Sequence, residues 1–239
     1  MTVYIDFINN LCFILSPKCG TQTISKHLRI PLNIKYSENE IKNILNDTEI
    51  KKVIVVRDVI DRFYSGFIED FKNNDCYLDL DISFYEYIKF IAYCYDNKLK
   101  NVNNLNIYYS DKDKLIQWGE CSSLHLPITD SCGNLSGHIV HQKKHLEPYT
   151  NLIDKNNNVE IIDISELNKF TNIHENIISY KKADNIDYDY DFNTLLSDLK
   201  KRNFNPKKEK MFNKNILRII NHIYDSDNEF INNLRMKFK

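Results

Sequence analysis

Two short stretches of this chain leave few choices of fold. Leu11-Cys-Phe-Ile-Leu-Ser16 and Lys52-Val-Ile-Val-Val-Arg57 are apolar at nearly every internal position, with no alternation of polar and apolar side chains. A strand with one wet face alternates with period two, whereas a strand covered on both faces does not. The second run is also rich in β-branched residues, which favour the pleated backbone. Both runs therefore predict strands buried on both faces, as in a parallel sheet.

The intervening segments predict the helices such a sheet needs. Ile24 and Leu28, four apart within Thr21 to Arg29, suit a short helix. Ser37-Glu-Asn-Glu40 has the form of a capping box ahead of Ile41, Ile44 and Leu45 on one face. Asp58 can cap a helix reaching about Lys72, with Ile60, Phe63, Tyr64, Phe67 and Phe71 sharing a face. Further helices are expected at 83–96, from Ser165 onward, and at 192–201, 211–224 and 226–236, with strands at 105–109 and 159–164. Residues 119–150 gather Gly, Pro and His and predict an irregular, loop-rich segment. Strands alternating with helices give an α/β fold: one domain, 1–239, with a mainly parallel central sheet flanked by helices in three layers.

Composition narrows the function. Lys and Arg total 32 against 33 Asp and Glu, a net charge of -1, so nothing draws the whole molecule to nucleic acid or an anionic membrane. Any anion site must be local. No apolar run approaches the ~18–20 residues of a membrane-spanning helix. Met1 to Leu15 lacks the basic and small-residue marks of a signal peptide, and a soluble, cytoplasmic protein is expected. The six cysteines are scattered, which predicts free thiols. Cys121, His125, Cys132, His138 and His141 lack the spacing of paired zinc-ligand knuckles, so no metal is expected. The basic stretch 200–210 reads as a solvated face; Glu209 and the neutral balance argue against a nucleic-acid patch.

The first strand runs into Ser16-Pro-Lys-Cys-Gly-Thr-Gln-Thr-Ile24. A strand–loop–helix junction aims backbone N–H groups and the positive end of the helix dipole at whatever lies above it. Lys18 adds a charge, Gly20 permits close backbone approach, and Thr21 and Thr23 bring hydroxyls. The loop is not GxxxxGK[ST]: no glycine opens it, and the lysine precedes Gly20. The second strand ends in Arg57-Asp-Val-Ile-Asp-Arg-Phe-Tyr-Ser65, where an arginine fork and a hydroxyl could grip a second phosphate. Taken singly, the first loop also fits an ordinary tight turn, and Arg57, Asp58 and Arg62 fit a surface ion-pair cluster.

As an ordered pair the two motifs resemble the sulfotransferases that use 3′-phosphoadenosine 5′-phosphosulfate (PAPS). The resemblance implies a P-loop-like fold in which Pro17, Lys18, Cys19, Gly20, Thr21, Gln22 and Thr23 hold the 5′-phosphosulfate. It assigns Arg57 and Ser65 to the 3′-phosphate, with Arg62 at a matching position. His138-Ile-Val-His-Gln142 is similar to the His-Trp-x-Pro-Gln element of the membrane-type carbohydrate sulfotransferases, though its Trp and Pro are absent. The segment from Val159 to Leu167 is similar to that group's late strand and helix, and Ile223-Tyr-Asp-Ser-Asp-Asn-Glu-Phe230 resembles its closing Tyr-x-x-Asp-(Phe/Tyr)-x-x-Phe pattern.

The implied reaction moves a sulfuryl group from PAPS to an acceptor hydroxyl, on a carbohydrate, releasing PAP without a metal. A protein tyrosine or a small metabolite remains open as acceptor. Lys18 would offset charge on the leaving phosphate. Among the candidate bases His138, His141, His145, Glu69 and Asp70, His138 is the first choice for its place in the resembling motif and Glu69 the second. The lack of an anchor suggests a bacterial or viral setting, or a chain cut from a longer protein. Two other classes stay open: an inactive nucleotide-binding relative serving as an interaction module, and a P-loop-type kinase needing magnesium and ATP.

Overall fold

The computed structural model of the chain describes residues 3–31, 35–72, 141–155, 157–171 and 213–239, together with Ile88 and Ala92. The chain divides into two compact units. The first takes Met1–Asp58, His141–Ser179 and Asp225–Lys239; the second takes Val59–Val140 and Tyr180–Tyr224.

The first unit is built on a sheet of four strands in spatial order β1-β2-β3-β4. They are β1 (Val3–Asp6), β2 (Leu11–Leu15), β3 (Lys51–Val56) and β4 (Val159–Asp163). β2, β3 and β4 run parallel, with Leu15 opposite Val55 and Val55 opposite Ile162. β1 joins β2 antiparallel, with Val3 opposite Ile14. Cys12–Leu15 and Lys52–Val56 are buried throughout, which accounts for the lack of alternation in their sequences.

Successive side chains of each strand enter different cores, because a strand turns alternate residues to opposite faces. Cys12, Ile14, Ile54 and Val56 share one core with Ile41 and Leu45 of α2 (Glu38–Asn46). That core also takes Leu146 from α4 (Gln142–Thr150) and Phe230, Ile231 and Leu234 from α6 (Asp225–Lys237). Phe13, Leu15, Val53 and Val55 share the other with Ile24 of α1 (Thr21–Leu28). Ile164 and Leu167 of a short 3-10 helix, Ile164–Lys169, complete it. Helical segments thus cover both faces of a mostly parallel sheet, an α/β architecture.

Local chemistry sets the ends of these elements. Ser37 Oγ accepts from the Glu40 amide at 3.3 Å while Glu40 returns a bond to the Ser37 amide at 2.7 Å, the capping box expected from the sequence. Between β1 and β2, Asp6 Oδ1 accepts from the amides of Ile8 and Asn9 at 3.1 Å each, and Oδ2 accepts from Asn9 Nδ2 at 2.7 Å. Burial alone would raise the Asp6 pKa, but these bonds and His27 nearby hold it below the usual carboxylate range. Cys12 and Cys19 are free thiols; burial pushes Cys12 up to about 12, against the opposing pull of Lys52.

In the second unit, α3 (Val59–Lys72) packs against α5 (Lys214–Ile223). Phe63 meets the ring of Tyr224 edge-on, centroids 6.2 Å apart.

Two sequence expectations are corrected. The loop-rich reading of 119–150 fails at its end, where Gln142–Thr150 is helical despite Pro148. A proline inside a helix costs about 3 kcal/mol, and α4 offsets that by burying Leu146 and by capping its start from another helix, as described below. The helix expected from Ser165 is a 3-10 helix beginning at Ile164. β1 was not anticipated: four residues before a turn are too few to show a period. The elements expected at 83–96, 105–109 and 192–201 lie outside the described residues, apart from Ile88 and Ala92.

Candidate anion-binding site

Because β2 and β3 are parallel neighbours, the chain leaves both at the same edge of the sheet. Ser16–Gly20 follows one and Arg57–Asp58 the other. In open α/β sheets this carboxyl edge is where ligands bind.

The first loop is tightly folded. Cys19 donates its amide to the Ser16 carbonyl at 3.1 Å, and the Ser16 hydroxyl lies 3.0 Å from Cys19 Sγ. Lys18 takes φ 66° and Gly20 φ 93°, both left-handed. A non-glycine residue holds that region at a cost, of order 1–3 kcal/mol, so Lys18 stays there because its surroundings fix it. Gly20 is the N-cap of α1 and supplies no side-chain cap, and the first turn of α1 carries no acidic residue. The helix therefore begins with its positive dipole end uncompensated by a carboxylate of its own first turn. A Cβ on Gly20 would sit 2.6 Å from Leu167 Cδ2. The close approach that requires a glycine here is thus made by the chain itself.

Arg57 ties the second loop to the first. Its Nη1 donates to the Lys18 carbonyl at 2.8 Å. Its backbone is held as a strand would hold it: Arg57 N donates to Gln142 Oε1 at 3.0 Å, and Gln142 Nε2 donates to the Arg57 carbonyl at 2.7 Å. Gln142 Oε1 also accepts from Cys19 Sγ at 3.3 Å. One fully buried amide thus joins both loops. Gln142 is itself fixed by Asp227, whose carboxylate accepts from the amides of Gln142 at 2.8 Å and Lys143 at 3.0 Å. Asp227, fully buried in the first turn of α6, therefore caps α4. His141 Nδ1 lies 3.4 Å from Asp227 Oδ1 and 3.4 Å from Ser226 Oγ.

Of the residues expected to bind nucleotide, Lys18, Cys19, Gly20 and Arg57 come together here. Pro17, Lys18 and Thr21 are half-buried and Gln22 is exposed. Thr23 and Cys19 are buried, Cys19 as part of the clamp. Arg62 is buried and Ser65 half-buried on α3, in the second unit. Glu69 also falls on α3, with its side chain outside the description, and His138 lies outside the described residues. Sequence reasoning placed Gln142 and Asp227 only in resemblance patterns and gave them no role; their joint work across the fold appears only in three dimensions.

Among the described residues, no cluster of three or more His, Cys, Asp or Glu could hold a metal ion, and no helix is long and apolar enough to cross a membrane. In comparison with known proteins, the chain matches no family model, no curated protein and no solved structure.

Proposed function

We propose that this chain is a sulfotransferase that moves a sulfuryl group from PAPS to an acceptor hydroxyl, on a carbohydrate, and releases PAP. The observation that carries the reading is the bond from Arg57 Nη1 to the Lys18 carbonyl at 2.8 Å. It joins the two motifs of the resemblance at the carboxyl ends of adjacent parallel strands. The loop offers what an anion needs: a lysine, an α-helix start with no side-chain cap, and an arginine from the next strand. A P-loop-like fold and a soluble, cytoplasmic setting belong to the same proposal and rest on the sequence.

When bound, the nucleotide would supply the sulfuryl group and a phosphate leaving group. This chain's part is alignment and charge. Lys18 sits in the loop leading to α1 and would offset charge growing on the leaving oxygen. Arg57 would hold the remaining phosphate, a role the sequence resemblance extends to Ser65, with Arg62 at a matching position. His138, with Glu69 as second choice, would take the acceptor proton.

The test uses sulfur-labelled PAPS with a panel of glycan acceptors. Label transfer with PAP release, reduced at least a hundredfold in Lys18→Ala, is the expected result. Tight PAP binding without transfer to any acceptor would leave the nucleotide-binding module in place of the enzyme. Unaltered turnover in Lys18→Ala would remove that loop from the mechanism.

A further inference from the structure

We infer that Gln142, anchored by Asp227, is the positioning residue that sets Arg57 against the first loop and so fixes the geometry of the anion site. The inference deepens the function proposed above and rests on it for its ligand.

The chemistry singles out a primary amide at this position. A carboxamide both donates and accepts, so it can bond the N–H and the carbonyl of one residue at once. Gln142 does this to Arg57, at 3.0 Å and 2.7 Å, at the point where β3 ends. It supplies the pairing that another strand would have given. The same Oε1 takes the Cys19 thiol at 3.3 Å, so displacement of Gln142 is felt in both loops. Neither loop can settle this by itself, because the amide arrives from a segment 85 residues beyond Arg57.

The anchor is equally specific. Asp227 accepts both of the first two amides of α4, from Gln142 and Lys143. Those amides have no partner within the helix, and burial makes leaving them unmade costly. Asp227 therefore fixes the backbone from which the Gln142 side chain reaches Arg57. Its exposure is 0%, as is that of Gln142, so water does not substitute readily for either.

The Gln142 amide is fully buried and bonds Arg57 and Cys19, so its effect on a ligand passes through Arg57 and the loop. A double-mutant cycle reads this directly. PAP affinity is measured by calorimetry on wild type, Gln142→Glu, Arg57→Ala and the double variant. Gln142→Glu keeps the volume and the acceptors but loses the donor to the Arg57 carbonyl, and Gln142→Ala provides a second variant should the first not fold. Hydrogen exchange at the Arg57 amide and across Ser16–Gly20 is followed in the same proteins.

A loss of about tenfold or more in PAP affinity for Gln142→Glu, with less than about twofold further loss on the Arg57→Ala background, is expected. Additive losses, or none, would overturn the inference, since a merely structural glutamine would weaken both backgrounds alike. Should wild type bind no PAP, the proposed function falls and exchange alone decides the positioning role. Faster exchange in both loops of the Gln142 variants would sustain it, and unaltered exchange would refute it.

Discussion

Gly20→Ala puts the packing of the anion loop to a quantitative test. At φ 93° an alanine occupies backbone space that L-residues avoid, at a cost of about 1–3 kcal/mol. The added Cβ would also lie 2.6 Å from Leu167 Cδ2, and Leu167 is fully buried, so it cannot swing into solvent. Relieving that overlap by shifting packed groups costs about another 1–3 kcal/mol. The sum, about 2–6 kcal/mol, is a large part of a small domain's stability. Urea titrations followed by circular dichroism would show it as a lower midpoint at constant slope. The two causes separate in a cycle with Leu167→Ala, which removes the clashing methyl and leaves the backbone strain. Gly20→Ala should cost about 1–3 kcal/mol less on that background than on wild type. A Gly20→Ala protein within about 0.5 kcal/mol of wild type would refute the reasoning on both counts.

Three further outcomes follow from particular contacts. Asp227→Ala strands the first amides of α4 and should destabilise by about 2–4 kcal/mol, with Asp227→Asn in between, as read by urea midpoints. Ser37→Ala removes the hydroxyl cap of α2 and should cost about 1 kcal/mol in the same assay. Because the folded-state pKa of Asp6 is depressed, its stabilisation is present above its unfolded pKa and fades as pH falls through the folded one. Stability of wild type should therefore drop more steeply below about pH 4 than that of Asp6→Asn, and parallel curves would contradict this.

Much of the sheet was legible because its signals are local. The apolar runs within Leu11–Ser16 and Lys52–Arg57 marked central strands, and Ser37 with Glu40 marked the start of α2. Elements whose stability comes from elsewhere were not. α4 carries Pro148 and a single buried aliphatic side chain, Leu146, and its start is held by a carboxylate from α6. No window around residue 142 contains that information. β1 owes its place to pairing with β2 and to a turn closed by Asp6, in a segment too short to show a period. The candidate site divides along the same line. Lys18, Gly20 and Arg57 stood out by their spacing around strand ends, whereas Gln142 and Asp227 act on residues 85 positions away.

The central claim is that Arg57 and the Lys18 loop form a phosphate site for PAPS chemistry. Calorimetry of PAP and of ATP, each with and without magnesium, on wild type and Arg57→Ala tests it most directly. The account predicts metal-independent PAP binding that weakens at least tenfold in the variant. Magnesium-dependent binding of ATP in preference to PAP, or PAP binding indifferent to Arg57, would contradict it.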